Sequence, residues 1–183
     1  MRFVTVVGNP KPASRTLVIA AAAAEAVARA AGLAGDRVTV DLSVLARHLL
    51  LPEPSPAVEE AIEQVTAADL LLVASPTYKG TYSGLLKVFL DRLPHRSLGG
   101  TAALPLMVMA APQHAMAVHA YLRPLLAELG ATVLTSGLAI LESDLDQLDA
   151  MLEHWAQQVA GALGARLLAD AGGPAVPAPA HAV

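Results

Sequence analysis

Short apolar runs alternate with segments of helical spacing along this whole chain, and no other feature constrains the fold as strongly. Phe3–Val7, Arg37–Leu42 (alternating as Val38, Val40 and Leu42), Leu70–Ala74 and Leu104–Met109 each have the length of one strand. A fifth strand is expected within Ala131 to Ile140, with a break near Ser136-Gly137. The helical segments are Ser14 to Ala31, Ala57 to Ala67, Ser83 to Leu93, His114 to Leu129 and Leu145 to Leu168. Gly130 is a natural stop for the fourth of them. Leu45 to Pro56, with leucines at 49 to 51 and prolines at 52, 54 and 56, reads as a connection.

Strands that alternate with helices build right-handed βαβ units and a parallel sheet covered on both faces. Five strands in this length imply an α/β fold of the flavodoxin-like type. That is a doubly wound five-stranded parallel sheet of order 2-1-3-4-5 with helices on both faces. Residues 1–168 are expected to form one domain, and the Pro/Ala-rich residues 169–183 a disordered tail.

Composition narrows the function classes. Charged residues make up 15% of the 183, the net charge is −4 and there is no basic block, which argues against nucleic acid and anionic membrane as partners. Aromatic residues are 3%, too few for base-stacking platforms. The absence of cysteine removes disulfide and thiol chemistry and suits a cytoplasmic protein. The N-terminus begins at once with a strand, without a signal-peptide pattern. The six histidines show no close metal spacing, so no metal site is expected, and no GxSxG hydrolase motif is present.

An open α/β sheet binds ligands at the carboxyl edge of its strands, which three loops build here. The first is Gly8-Asn9-Pro10-Lys11-Pro12-Ala13-Ser14-Arg15-Thr16. Ser14 is placed to cap the helix, and Thr16 adds a hydroxyl in its first turn. With the helix dipole, free N–H groups and Arg15, this reads either as a phosphate-monoester site or as an ordinary turn with a capping serine and a solvated arginine. It is neither GxGxxG nor GxxxxGK[ST], so dinucleotide pyrophosphates and ATP fit it poorly. The second loop, Pro76-Thr77-Tyr78-Lys79-Gly80, could wall a flat ring, with Gly80 allowing close backbone approach and Ser83 opening the next helix. The third, Ala110-Ala111-Pro112-Gln113-His114, lies at the same edge, where Ala111 could add wall and His114 could bond a ligand or merely open a helix. Glu142, Asp144, Asp146 and Asp149 read as solvated carboxylates near a helix start.

Taken together, these loops resemble the NADPH-dependent FMN reductase family, closest to the reductases of two-component alkanesulfonate monooxygenases. That family's phosphate loop, Gly-Ser-Pro-Arg…Ser-Arg/Asn-Ser/Thr, stands here as Gly8-Asn9-Pro10-Lys11…Ser14-Arg15-Thr16. Its second motif, Thr-Pro-x-Tyr-x-x-x-Tyr/Ser-Ser-Gly-x-Leu-Lys, stands as Ser75-Pro76-Thr77-Tyr78-Lys79-Gly80-Thr81-Tyr82-Ser83-Gly84-Leu85-Leu86-Lys87. The resemblance implies FMN, with Ser14, Arg15 and Thr16 at its phosphate and Pro76 to Tyr78 along its isoalloxazine. Asn9 and Lys11 replace the usual Ser and Arg, and Ala110-Ala111-Pro112 replaces a loop that often carries glycines.

It further implies hydride transfer from NADPH or NADH to FMN with no catalytic acid or base, because the protein aligns two rings. In the sulfonate-system reductases an aromatic residue after the third loop is associated with flavin exchange, and Tyr121 stands in that region. Reduced flavin would feed a flavin-dependent monooxygenase. Two other readings are a reductase that retains FMN and acts on quinones, azo compounds or metal ions, and a flavodoxin-type electron carrier. A homodimer or homotetramer is expected through the helix after the second loop, because Leu85, Leu86, Val88, Phe89 and Leu90 exceed one sheet-facing stripe.

Overall fold

The computed structural model describes residues 1–172. Its sheet is parallel throughout, in the order β2-β1-β3-β4-β5, with β6 also paired to β4. The strands are β1 (Phe3–Val7), β2 (Arg37–Asp41), β3 (Leu70–Pro76), β4 (Ala102–Met109), β5 (Thr132–Val133) and β6 (Leu138–Leu141). The helices are α1 (Arg15–Ala30), the single turn α2 (Leu42–Leu45), α3 (Pro56–Thr66), α4 (Gly84–Leu90), α5 (Arg123–Glu128) and α6 (Leu148–Gly172).

Side-chain alternation along the strands divides the interior into two cores. Phe3, Leu70, Leu72, Leu104 and Leu106 face one side, under Ile19, Ala20, Ala23 and Val27 of α1 and Leu152, Trp155 and Val159 of α6. Val4, Val6, Leu71, Val73 and Met107 face the other, under α3, α4 and α5, with Leu42, Leu45 and Leu49 filling the corner beside β2. Both faces of β3 and β4 are therefore buried, which is why those strands read as continuous apolar runs rather than alternating ones.

Several boundaries differ from the sequence expectation. Leu42 leaves β2 to open α2, capped by the Asp41 carboxylate, which accepts from the Ser43 N–H. The break expected near Ser136-Gly137 is present: the fifth strand comes in two pieces, β5 and β6, on either side of residues 134–137. Pro105 explains the gap. The carbonyls of Thr101 and Ala103 bond toward β5, so Pro105, two residues on, faces the same way and has no N–H to offer. Gly137 fills this tight spot, because a Cβ there would lie 2.4 Å from Val118 Cγ2 and 3.0 Å from Pro105 Cγ.

The helix expected over His114 to Leu129 is also divided. A 3₁₀ turn, Pro112–His114, comes first, then a π-helical turn, Val118–Leu122, then α5. In the π-turn the Arg123 N–H reaches back five residues to the Val118 carbonyl. The widening falls immediately before Pro124, whose ring would press on the carbonyl four residues earlier in a regular helix. The last helix follows a 3₁₀ turn over Glu142–Gln147 and runs on to Gly172, so residues 169–172 are helical rather than tail. The disorder expected for 173–183 lies outside the described residues.

On α4, Leu86, Phe89 and Leu90 are spent on the core, while Leu85 and Val88 are half-buried. The surplus apolar surface expected on that helix is therefore small. No described helix is long and apolar enough to cross a membrane.

Candidate active site

The carboxyl ends of β1, β3, β4 and β6 converge on a cleft of about 520 Å³, a volume typical of small-molecule sites. It is lined by Asn9, Lys11, Ala13, Ser14, Arg15 and Thr16 on one side and Pro76, Thr77 and Tyr78 on another. Val108, Met109, Ala110 and Glu142 complete it.

Local hydrogen bonds give the first loop its shape. The buried Asn9 carbonyl accepts from the Lys11 N–H at 2.9 Å, closing a tight turn, and its amide donates to Thr16 Oγ1 at 3.0 Å. Ser14 caps α1, its Oγ accepting from the Leu17 N–H at 3.2 Å. Each hydroxyl already accepts one bond and keeps its own proton to donate toward the cleft. The N–H groups of Arg15 and Thr16, in the first turn of α1, have no partner within the helix. Lys11 adds an ammonium that has no carboxylate partner among the described residues.

The second loop is set by a two-residue turn. Tyr78 and Thr81 exchange backbone bonds of 2.8 and 3.2 Å around Lys79 and Gly80, both at positive φ (52° and 85°), the signature of a type I′ hairpin turn. Gly80 therefore serves the turn. A Cβ there would meet nothing within 4 Å, so among the described residues it is the positive φ of the turn that favours glycine. Thr77 anchors the wall, its N–H donating to the Val108 carbonyl at 2.7 Å, while its Oγ1 is buried without a partner.

Five residues expected at the site stand apart from the lining: Lys79, Gly80, Ser83, Ala111 and His114. Lys79 points outward at the hairpin tip, exposed. Ser83 is fully buried behind the cleft. It caps α4 by accepting from the Leu86 N–H at 3.1 Å and donates to the Gly8 carbonyl, tying the first two loops together. That contact needs Gly8, where a Cβ would lie 2.6 Å from Leu86 Cβ. The third loop meets the cleft one residue earlier than expected, at Ala110, and His114 closes its own 3₁₀ turn by donating its N–H to the Ala111 carbonyl. Lys87, beyond the cleft, has its ammonium held above the ordinary lysine range by a hydrogen bond to Asp91.

Sequence reading did not bring Glu142 into the cleft. Its carboxylate lies 2.8 Å from Arg15 Nη1, across 127 positions of sequence, and no local pattern announces such a pair.

A donor-rich helix terminus beside an apolar wall suits a phosphate monoester that carries a flat ring. Pro76, Tyr78, Val108 and Met109 supply the wall's apolar surface, and Thr77 completes it. The residues present fit FMN. Fold and cleft together define a flavodoxin-like protein with an open cleft at its switch point.

A family model for NADPH-dependent FMN reductases matches residues 1–146, and the chain belongs to that family. An FMN reductase (NADPH) of Escherichia coli (strain K12) is 37% identical over 140 residues, covering 75% of this chain and 72% of that protein. An NADH-dependent FMN reductase, SfnF, of Pseudomonas fluorescens (strain Pf0-1) is 32% identical, covering 79% of this chain and 78% of its own length. Among solved structures, an oxidoreductase from Corynebacterium diphtheriae superposes with a TM-score of 0.79 at 27% identity, covering 90% of this chain and 98% of the other. The apo form of an NADH:FMN oxidoreductase gives 0.71 at 31% identity, covering 85% and 88%. The chain is thus an oxidoreductase of the NAD(P)H-dependent, FMN-using class.

Proposed function

We propose that this protein moves hydride from NADH or NADPH to FMN seated in the cleft and releases the reduced flavin to a partner monooxygenase. One observation carries the reading: the α1 terminus and the Pro76–Tyr78 wall share a single open cleft. FMN, when bound, supplies the redox chemistry. The chain's own residues bind and align. Ser14, Arg15 and Thr16 hold the phosphate from the helix end, with Lys11 adding charge and Asn9 keeping the loop in shape. Pro76, Thr77 and Tyr78 flank the ring and leave its other face open to a nicotinamide. No side chain is asked to act as acid or base, since positioning two rings suffices.

Release of the flavin is supported by the openness of the site. The Arg15 side chain is 67% exposed, and Tyr121 stands exposed in the π-helical turn beyond the third loop, a kind of irregularity common at functional sites. Self-association as a dimer or tetramer would use the half-exposed Leu85 and Val88 of α4.

The test is NADH and NADPH oxidation with and without added FMN, FAD and riboflavin. Protein that purifies colourless and depends saturably on added FMN supports release. Yellow protein that turns over quinones without added FMN rejects it, and no oxidation at any FMN concentration rejects the enzyme reading. Arg15→Ala should weaken FMN by about 1 kcal/mol, roughly fivefold, and leave riboflavin unchanged in a fluorescence titration. Equal losses for the two flavins would remove Arg15 from the phosphate.

A further inference from the structure

The pair between Arg15 and Glu142 has no task in the flavin reading, yet it occupies the phosphate end of the cleft. Its placement follows from the sheet. β6 pairs with β4 in a register that sets Leu141 beside Met109, so Glu142 is the first residue past the carboxyl edge. From there its Oε2 reaches Arg15 Nη1 at 2.8 Å. Glu142 is 41% exposed, so its side chain has room to swing away. Of the neighbouring acids, Asp144 accepts from the Ser143 hydroxyl of its own turn, and neither Asp146 nor Asp149 lines the cleft. Lys11 and Arg15 are the cations on the lining, and Glu142 is its one carboxylate.

A carboxylate offers a guanidinium the same paired oxygens that a phosphate does. We propose that Glu142 is a built-in competitor for Arg15, a residue that sets how tightly the cleft holds a phosphorylated flavin. Without flavin it takes the guanidinium. A phosphate monoester entering the α1 terminus must displace it and then sit near its negative charge. The flavin mononucleotide is held more loosely than the donor set alone would hold it, which favours exchange. An unphosphorylated flavin does not notice the competitor. This rests on the reading of the cleft as a flavin site.

The experiment is a fluorescence titration of FMN and of riboflavin into the full chain, Glu142→Gln, Arg15→Ala and the double variant. Glu142→Gln should tighten FMN about two- to fivefold, the scale of one exposed ion pair, with riboflavin unchanged. In the Arg15→Ala background the same change should bring a clearly smaller gain, the part that comes from the carboxylate's own charge. Weaker FMN binding by Glu142→Gln would overturn the inference, because Glu142 would then be holding Arg15 in place for the phosphate. So would an equal change for riboflavin, or a full gain in the Arg15→Ala background. Riboflavin titration reports that the cleft of each variant is intact, and Glu142→Ser, read the same way, stands in should Glu142→Gln fail that check. If the unaltered chain binds neither flavin, the site reading falls and the inference with it; FMN affinity indifferent to Glu142 sinks the inference alone.

Discussion

Between Gly8 and Thr16 the chain holds its shape with bonds between near neighbours, whereas between Ala110 and Glu128 a local proline acts together with packing against a distant strand. In the first region Asn9 bonds Lys11 and Thr16, and Ser14 bonds Leu17, all within seven positions. In the second, Val118 packs where Gly137 leaves space, against the gap that Pro105 opens in the fifth strand. Both regions border the cleft. One is preorganised by its own side chains and the other also leans on a distant strand, so substitutions should affect them differently.

The largest effect is expected where the second region depends on a distant residue. Gly137→Ala places a Cβ 2.4 Å from Val118 Cγ2, and overpacking of this kind should cost about 2–3 kcal/mol in urea unfolding. A neutral outcome would break the comparison, since the π-turn would then owe little to the strand gap. Next comes Asn9→Ala, which strips the buried Thr16 hydroxyl and the Lys11 N–H of their partner. It should cost about 2 kcal/mol of stability and weaken FMN more than riboflavin in titration. Loss of stability without that bias would mean the loop is a scaffold only. Ser14→Ala should be the smallest, about 1 kcal/mol, the usual value of one helix cap, read as a lowered thermal midpoint. A much larger loss of FMN affinity than of stability would sharpen the contrast, showing that the hydroxyl's free proton matters more than the cap.

The same contrast explains what could be read before the structure was seen. Strand order, the two-sided core and the first loop follow from patterns a few residues long: apolar runs at strand length, a serine before a helix, an arginine and threonine just inside it. Pro76, Thr77 and Tyr78 were legible for the same reason. Glu142 was not, because its partner is 127 positions away and only the β4–β6 register brings them together. Ser83 was placed in the cleft on motif position, while its hydroxyl is committed behind it to Gly8 and Leu86. Gly80 has a local role that its motif position does not announce, since its positive φ belongs to a hairpin turn. The division of the helix after β4 does leave a mark in the sequence, Pro124 inside an otherwise helical stretch.

The gap at Pro105 also has a consequence for how copies of this chain meet one another. The outer side of β4 is covered by strands of two and four residues with an interruption between them. A neighbouring chain arriving there finds no continuous row of unpaired N–H and C=O groups to extend. Short, broken border strands are one way sheet proteins avoid stacking edge to edge into aggregates. The proline that shapes the π-turn's surroundings thus also keeps this side of the sheet from acting as a template.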